Sequence, residues 1–272
     1  MMEWGFNMDI KRQIKMIYML LKMKIARSMV YRFSFFGVTL VDGSMFFIQL
    51  LMFNAIYSQV DSISGWERAQ VLFFIGTFSL INALNMTLFF FGIISIPEKI
   101  RTGRLDLYII KPINSLLYLS FENINVGSIP LVFASGGILF YAVSHMQLEI
   151  TVFKVMGYIF LVMMMLILYY DIMVLLRTIL FFVIQASSIE HLEGELITLC
   201  MKIPGVLFKG AFKILFYIIL PYGIIATIPT QFFAGTLTPI GFVYAIVITF
   251  IFSVFTLAFW RLGLKNYKSA SS

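Results

Sequence analysis

The chain has 272 residues, 61% of them hydrophobic and only 12% charged, with a formal net charge of +7. Soluble domains carry about 25% charged residues, whereas apolar runs of about 20 residues, enough to cross a ~30 Å hydrocarbon core, recur along this chain. A soluble fold is excluded, and the surplus of Lys and Arg is read as the mark of a membrane face, not of a nucleic-acid partner.

The single cysteine, Cys200, excludes an internal disulfide and a cysteine-rich metal site. Two histidines, His145 and His191, cannot build a multi-histidine centre by themselves, so no metal site is expected. Residues 9–28, "DIKRQIKMIYMLLKMKIARS", place Ile10, Ile14, Ile17, Leu21 and Ile25 at spacings of three and four, with Lys11, Lys15 and Lys22 on another side. This pattern predicts an amphipathic helix in the headgroup layer, its lysines facing anionic lipid. A solvated basic tail is the plainer alternative. The apolar stretches up to Leu21 are short, broken by cations and without a small-residue cleavage site, which does not suit a cleavable signal.

A first span is predicted over about 33–57 and a second over about 69–95, joined by the polar tip "SQVDSISGWER". Asp42 lies about nine residues, or ~14 Å of helix rise, inside the first span. An acid at that depth is costly and faces a cavity or a partner. Asp42 and Asn54 are therefore candidates for a translocation path, with an interhelical hydrogen bond as the structural alternative for Asp42; Asn82 and Asn85 are further polar groups in this hairpin.

The connector that follows, residues 96–121, opens with "IPEKIRTGRLDLYIIKP". Pro97 is expected to end or bend the second span. A short helix is predicted over 98–110, apolar at Ile100, Leu105 and Leu107 and charged at Glu98, Lys99, Arg101, Arg104 and Asp106. Gly103 breaks it in two or admits another backbone, and Asn114 or Ser115 caps the next helix. Both signs of charge on an apolar stripe suit a docking element for a soluble partner; an ordinary basic inner loop is the alternative.

A third span is predicted over about 122–143, where Gly136 and Gly137 suggest close helix contact. A fourth covers about 153–176, and the last, about 239–260, ends at Trp260 and Arg261. Between them two readings stand. In one, residues 177–212 are cytoplasmic and 213–228 form a short fifth span. In the other, Asp171 to Arg177 is a cytoplasmic turn, the fifth span covers about 177–200, and 201–238 is an outward hairpin punctuated by Pro204, Pro221, Pro229 and Pro239. Both give six spans, and both leave most Lys and Arg on the side of the termini, which are therefore expected in the cytoplasm. The domain plan is a cytoplasmic N-terminus over 1–32, one transmembrane domain over 33–260 and a cytoplasmic tail over 261–272.

Catalytic patterns fail. In "SIEHLEGEL" Leu192 follows His191, so Glu190, His191, Glu193 and Glu195 do not form a zincin motif and read as structural or interfacial. In "GVLFKGAFK" Gly205 and Gly210 have Walker A spacing, but Ala211 and Phe212 replace the lysine and hydroxyl that hold phosphate and magnesium. ATP hydrolysis, if the protein depends on it, belongs to another chain.

"IRTGRLDLYIIKPIN" resembles the loop after the second span of ABC transporter permeases of the type-2 exporter class, particularly a bacterial six-span subfamily. The pattern is R-x-G-x-L-D-x-x-L-x-K-P, matched by Arg101, Gly103, Leu105, Asp106, Lys111 and Pro112, with Ile109 or Ile110 at the usual Leu. "ILPYGIIATIPTQFFAG" resembles the family's pattern before the last span and "WRLGLKNYKSASS" its ending. The stretch Glu190 to Glu195 departs from the family in being more acidic. The resemblance favours the reading with an outward hairpin over 201–238. It implies an all-α polytopic integral membrane protein of six transmembrane helices, with the N-terminal interfacial helix and a cytoplasmic coupling helix, in a bacterial cytoplasmic membrane. It further implies a second permease chain and separate ATPase subunits, which bring the ATP and magnesium; this chain needs no cofactor of its own. Glu98, Arg101, Gly103, Arg104, Asp106 and Lys111 are the implied ATPase-docking positions. An amphipathic peptide, drug or lipid is the expected cargo. An ion-coupled secondary transporter and a non-transporting immunity or sensor protein are the alternatives.

Overall fold

The computed structural model describes residues 62–267 except 64, 112, 147 and 184–186, with backbone alone at 63 and 187–190, together with 15–20, 22–23 and the positions 37, 40, 43, 44, 47, 48, 50, 51 and 53. Residues 15–20 and 22–23 are helical, with Lys15 and Lys22 exposed and Ile17 half-buried. Every described position between 37 and 53 is also helical, and Phe53 is buried in the core. Asp42 and Asn54 lie outside the described residues.

A two-residue ribbon, β1 (Ser62–Ile63) paired antiparallel with β2 (Trp66–Glu67), turns at Gly65, where φ is 79°. It leads into α1 (Arg68–Asn85), whose start is fixed by a capping box in which the Glu67 amide donates to Gln70 Oε1 at 3.1 Å. The helix continues through a π segment, Met86–Phe90, and Phe91–Ile93 before breaking at Ile94 and Ser95. Three short helices follow: α2 (Ile96–Arg101), α3 (Asp106–Ile109) and α4 (Ser115–Glu122). Then come α5 (Ile129–His145), α6 (Val152–Thr178), α7 (Ser187–Lys202), α8 (Gly210–Ile214), α9 (Thr227–Phe233) and α10 (Pro239–Asn266).

Among the described residues four helical runs are long and apolar enough to cross a membrane: Arg68–Arg101, Val126–His145, Val152–Phe181 and Pro239–Asn266. A further run, Gly210–Ile219 with Pro221–Phe233, qualifies only as a pair bent by 82°. The architecture is that of an all-α polytopic membrane protein. At its centre stands α6, packed against α1, α9 and α10, while α5 lies along α1. Toward the ribbon end, Phe73 stacks on Phe233 at 4.7 Å and tilts against Tyr158, whose hydroxyl bonds Thr77 Oγ1 at 2.9 Å. Outward-facing Phe133, Phe140, Phe250 and Phe255 are exposed, as suits a lipid surface.

Three expectations change here. The helix α6 runs unbroken through Asp171 to Arg177, where one reading places a cytoplasmic turn. Charge at a helix position marks the water boundary only when nothing inside the protein answers it. Here Ser253 Oγ of α10 donates to Asp171 Oδ2 at 2.5 Å, and Arg177 pairs with Glu193 of α7, so the helix stays enclosed at both residues. The predicted third span starts late, because α4 forms a separate helix and the apolar run begins at Val126. Gly136 and Gly137 face outward, with nothing within 4 Å of either Cβ position; the close approach of α5 to α1 is made at Gly76, against Leu139 and Ile138.

Candidate functional site

The connector is two short helices hung from the end of α1. Ser95 Oγ donates to the Gly92 carbonyl at 2.6 Å, closing the end of the preceding helix. Pro97 falls in the first turn of α2, where its missing N–H costs no bond. At Gly103 φ is +69°, a left-handed conformation that glycine adopts without strain, and the chain reverses into α3 there. Ile96 and Leu105, both fully buried, pin the inner face of this turn to the bundle. Asn114 then caps α4, its side chain accepting from the Leu117 amide at 3.1 Å.

Glu98, Arg101 and Arg104 are all exposed on the connector. Arg101 bonds Glu98 at 2.6 Å across one turn, with both side chains largely in water (78% and 51% exposed), where such a pair contributes little to stability. Leu107 and Ile110 of the same connector are 58% and 75% exposed. Two large aliphatic side chains amid charges make a mixed surface of the kind that protein interfaces bury. Asp106 is half-buried, and Lys111 turns inward, its Nζ 4.2 Å from the Tyr118 ring and 5.2 Å from the Tyr108 ring.

The inner side holds a second cluster that sequence reasoning missed. Lys99, read as one more connector charge, is buried; it donates to Ser95 Oγ at 2.9 Å and pairs with Glu122 Oε2 of α4. Tyr108 of α3 donates to the other carboxylate oxygen, Glu122 Oε1, at 2.7 Å. Burial pushes the Tyr108 phenol well above its ordinary pKa, and its hydrogen bond to the Glu122 carboxylate pushes the same way. The one available signal was the placement of Lys99 three residues after buried Ile96, on the apolar side of α2.

Inside the bundle, the acidic stretch also gains a role. Glu193 accepts from Arg177 on Oε2 and from the Tyr222 hydroxyl on Oε1, the latter at 2.9 Å. Tyr169 packs edge-on against Tyr222 and donates to Asn82 Oδ1 at 3.2 Å, joining α1 to the same network. His191 and Glu195 are exposed, and the side chain of Glu190 lies outside the described residues. Among the described residues no group of three or more His, Cys, Asp or Glu side chains is placed to hold a metal ion.

Residues 44–271 match the profile of a family described as ABC-2 family transporter protein. No curated protein and no solved structure matches the chain.

Proposed function

The chain belongs to the ABC-2 transporter family, as a membrane-spanning permease subunit that works with an ATPase partner, and from that premise we propose that it is an exporter subunit driven through the 97–112 connector. One observation supports this most: Glu98, Arg101, Arg104, Leu107 and Ile110 are all exposed on the connector, while buried Lys99 and Leu105 fix it to the bundle. ATPase subunits dock on it, with Glu98, Arg101, Gly103, Arg104 and Asp106 at the contact and Lys111 bracing it from within. The connector and both termini lie in the cytoplasm of a bacterial cell, and six spans result when the 33–57 segment and the bent pair each cross once. A second permease chain, identical or a sister, completes the path for an amphipathic peptide, drug or lipid, with Asp42 and Asn54 on the side of that path. ATP and magnesium bind in the partner. Coupling then requires that ATP binding favour one arrangement of the spans over another.

Co-purification tests the reading. An ATPase subunit encoded beside this chain is co-expressed with it and captured from detergent extract. Charge reversal at both Arg101→Glu and Arg104→Glu should cut the captured ATPase roughly tenfold or more, because close interfacial charge pairs contribute about 1.5–7 kcal/mol each. Undiminished capture with full ATP-dependent activity in the double variant sinks the proposal.

A further inference from the structure

We infer that α4 is the lever that carries connector motion into the bundle, and that Glu122 is the positioning residue on which both halves of the connector are fixed to it. The inference rests on the docking reading above and adds a role outside the docking face.

One carboxylate holds two helices. Lys99 of α2 reaches Glu122 Oε2 and Tyr108 of α3 reaches Oε1, so the two pieces separated by the Gly103 turn converge on a single α4 side chain. Lys99 Nζ also lies 4.7 Å from the Tyr108 ring, and Lys111 spans the Tyr108 and Tyr118 rings, which are 5.6 Å apart. Tyr118 and Glu122 are one turn apart on α4, so the clasp grips the helix along its length. Burial separates this ion pair from the docking pair: the Lys99 and Glu122 side chains are 11% and 24% exposed, against 78% and 51% for Arg101 and Glu98. Water screens the outer pair and leaves the inner one directional.

The other face of α4 meets the spans. The carbonyls of Leu119 and Ser120 close on Gly92 so tightly that a Cβ there would sit 2.2 and 2.6 Å from them. Ser120 Oγ bonds the Tyr170 hydroxyl of α6 at 2.8 Å, and Phe89 is packed between Phe121 and Tyr170 at 5.2 and 4.9 Å. A contiguous set of contacts thus leads from α2 and α3 through Glu122, along α4, through Ser120 to Tyr170, and so to α6, the helix that α1, α9 and α10 all touch. Coupling over such a distance is carried by packed bodies with two arrangements, and α4 is short, flanked by irregular residues at 110, 111, 113 and 114 and at 123–125.

The test uses the complex with its ATPase subunits, with magnesium ATP and vanadate as the only ligands. Spin labels at exposed Ser144 and Thr236, in a Cys200→Ser background, read the separation of α5 and the α9–α10 loop. Glu122→Gln should reduce the nucleotide-driven distance change to less than half in complexes that hold their ATPase subunits. The charge swap Lys99→Glu with Glu122→Lys should restore it, a recovery that loss of packing alone does not give. If Glu122→Gln fails to fold, Lys99→Gln breaks the same pair from the other side and carries the same expectation. A full distance change in the folded single variant overturns the inference, as does a native complex whose labels do not respond to ATP. Failure of the ATPase to bind the native chain overturns the docking reading instead.

Discussion

Glu193 of α7 accepts from Arg177 of α6 at a point where the two side chains are 3% and 2% exposed. Neither charge is tolerable there alone, since an ionised group buried inside a membrane protein is costly unless a partner answers it. Tyr222 donates to the remaining carboxylate oxygen, so α6, α7 and the Pro221–Ile224 turn meet at one residue. Removing one partner strands the other: Glu193→Ala is expected to cost about 3–5 kcal/mol. The double variant Arg177→Met with Glu193→Leu should recover most of that loss. Thermal unfolding of both variants in detergent measures the difference, and a double variant no better than the single one contradicts the account.

Gly103 supports a second expectation. Its φ of +69° is a conformation that costs an L-residue roughly 1–2 kcal/mol. Gly103→Ala should therefore loosen the turn between α2 and α3 and weaken ATPase capture, while the bundle unfolds at an unchanged temperature. Hydrogen exchange should rise at residues 98–110 and stay constant in α6. Equal protection in both places would falsify the strain argument.

Features decided within a few residues were legible in the sequence, and features decided across the bundle were not. Asn114 as a cap, Gly103 as the break and the exposure of Arg101 and Arg104 follow from capping, backbone sterics and the sparse charge of this segment. Lys99 and Glu122 are 23 residues apart, and Arg177 and Glu193 are 16 apart, so no local pattern pairs them. Asp171 and Arg177 looked like a membrane boundary because charge usually is one; Ser253 and Glu193 answer them inside instead. Gly136 and Gly137 misled for the same reason. A small residue permits contact, but only the fold decides which face of α5 receives it.

The clasp at Tyr108 should be sensitive to alkali. Its phenol is raised above the ordinary tyrosine value of about 10 by burial and then by Glu122, which accepts its proton's hydrogen bond. Below pH ~10 the group is neutral in folded and unfolded chains alike, and its contribution is fully present. As the pH rises past that point the unfolded chain ionises first, so the contribution is progressively lost. Wild-type protein should accordingly lose more thermal stability than Tyr108→Phe between about pH 9 and about pH 11. Parallel loss in the two proteins contradicts the assignment.

Two glycines give opposite expectations for the same substitution. At Gly92 a new Cβ meets the Leu119 and Ser120 carbonyls at 2.2 and 2.6 Å, and backbone oxygens cannot swing aside as a side-chain tip can. Gly92→Ala must push α4 outward, which strains the Ser120–Tyr170 bond and costs about 1–3 kcal/mol, the usual penalty for overpacking. At Gly136, on the outward face of α5, nothing lies within 4 Å. There Gly136→Ala removes backbone freedom from the unfolded chain and should stabilise by roughly 0.5–1 kcal/mol. Thermal unfolding of the two variants in detergent, with the chain monomeric, should move in opposite directions. A Gly92→Ala protein as stable as the wild type would mean that α4 is not wedged against α1.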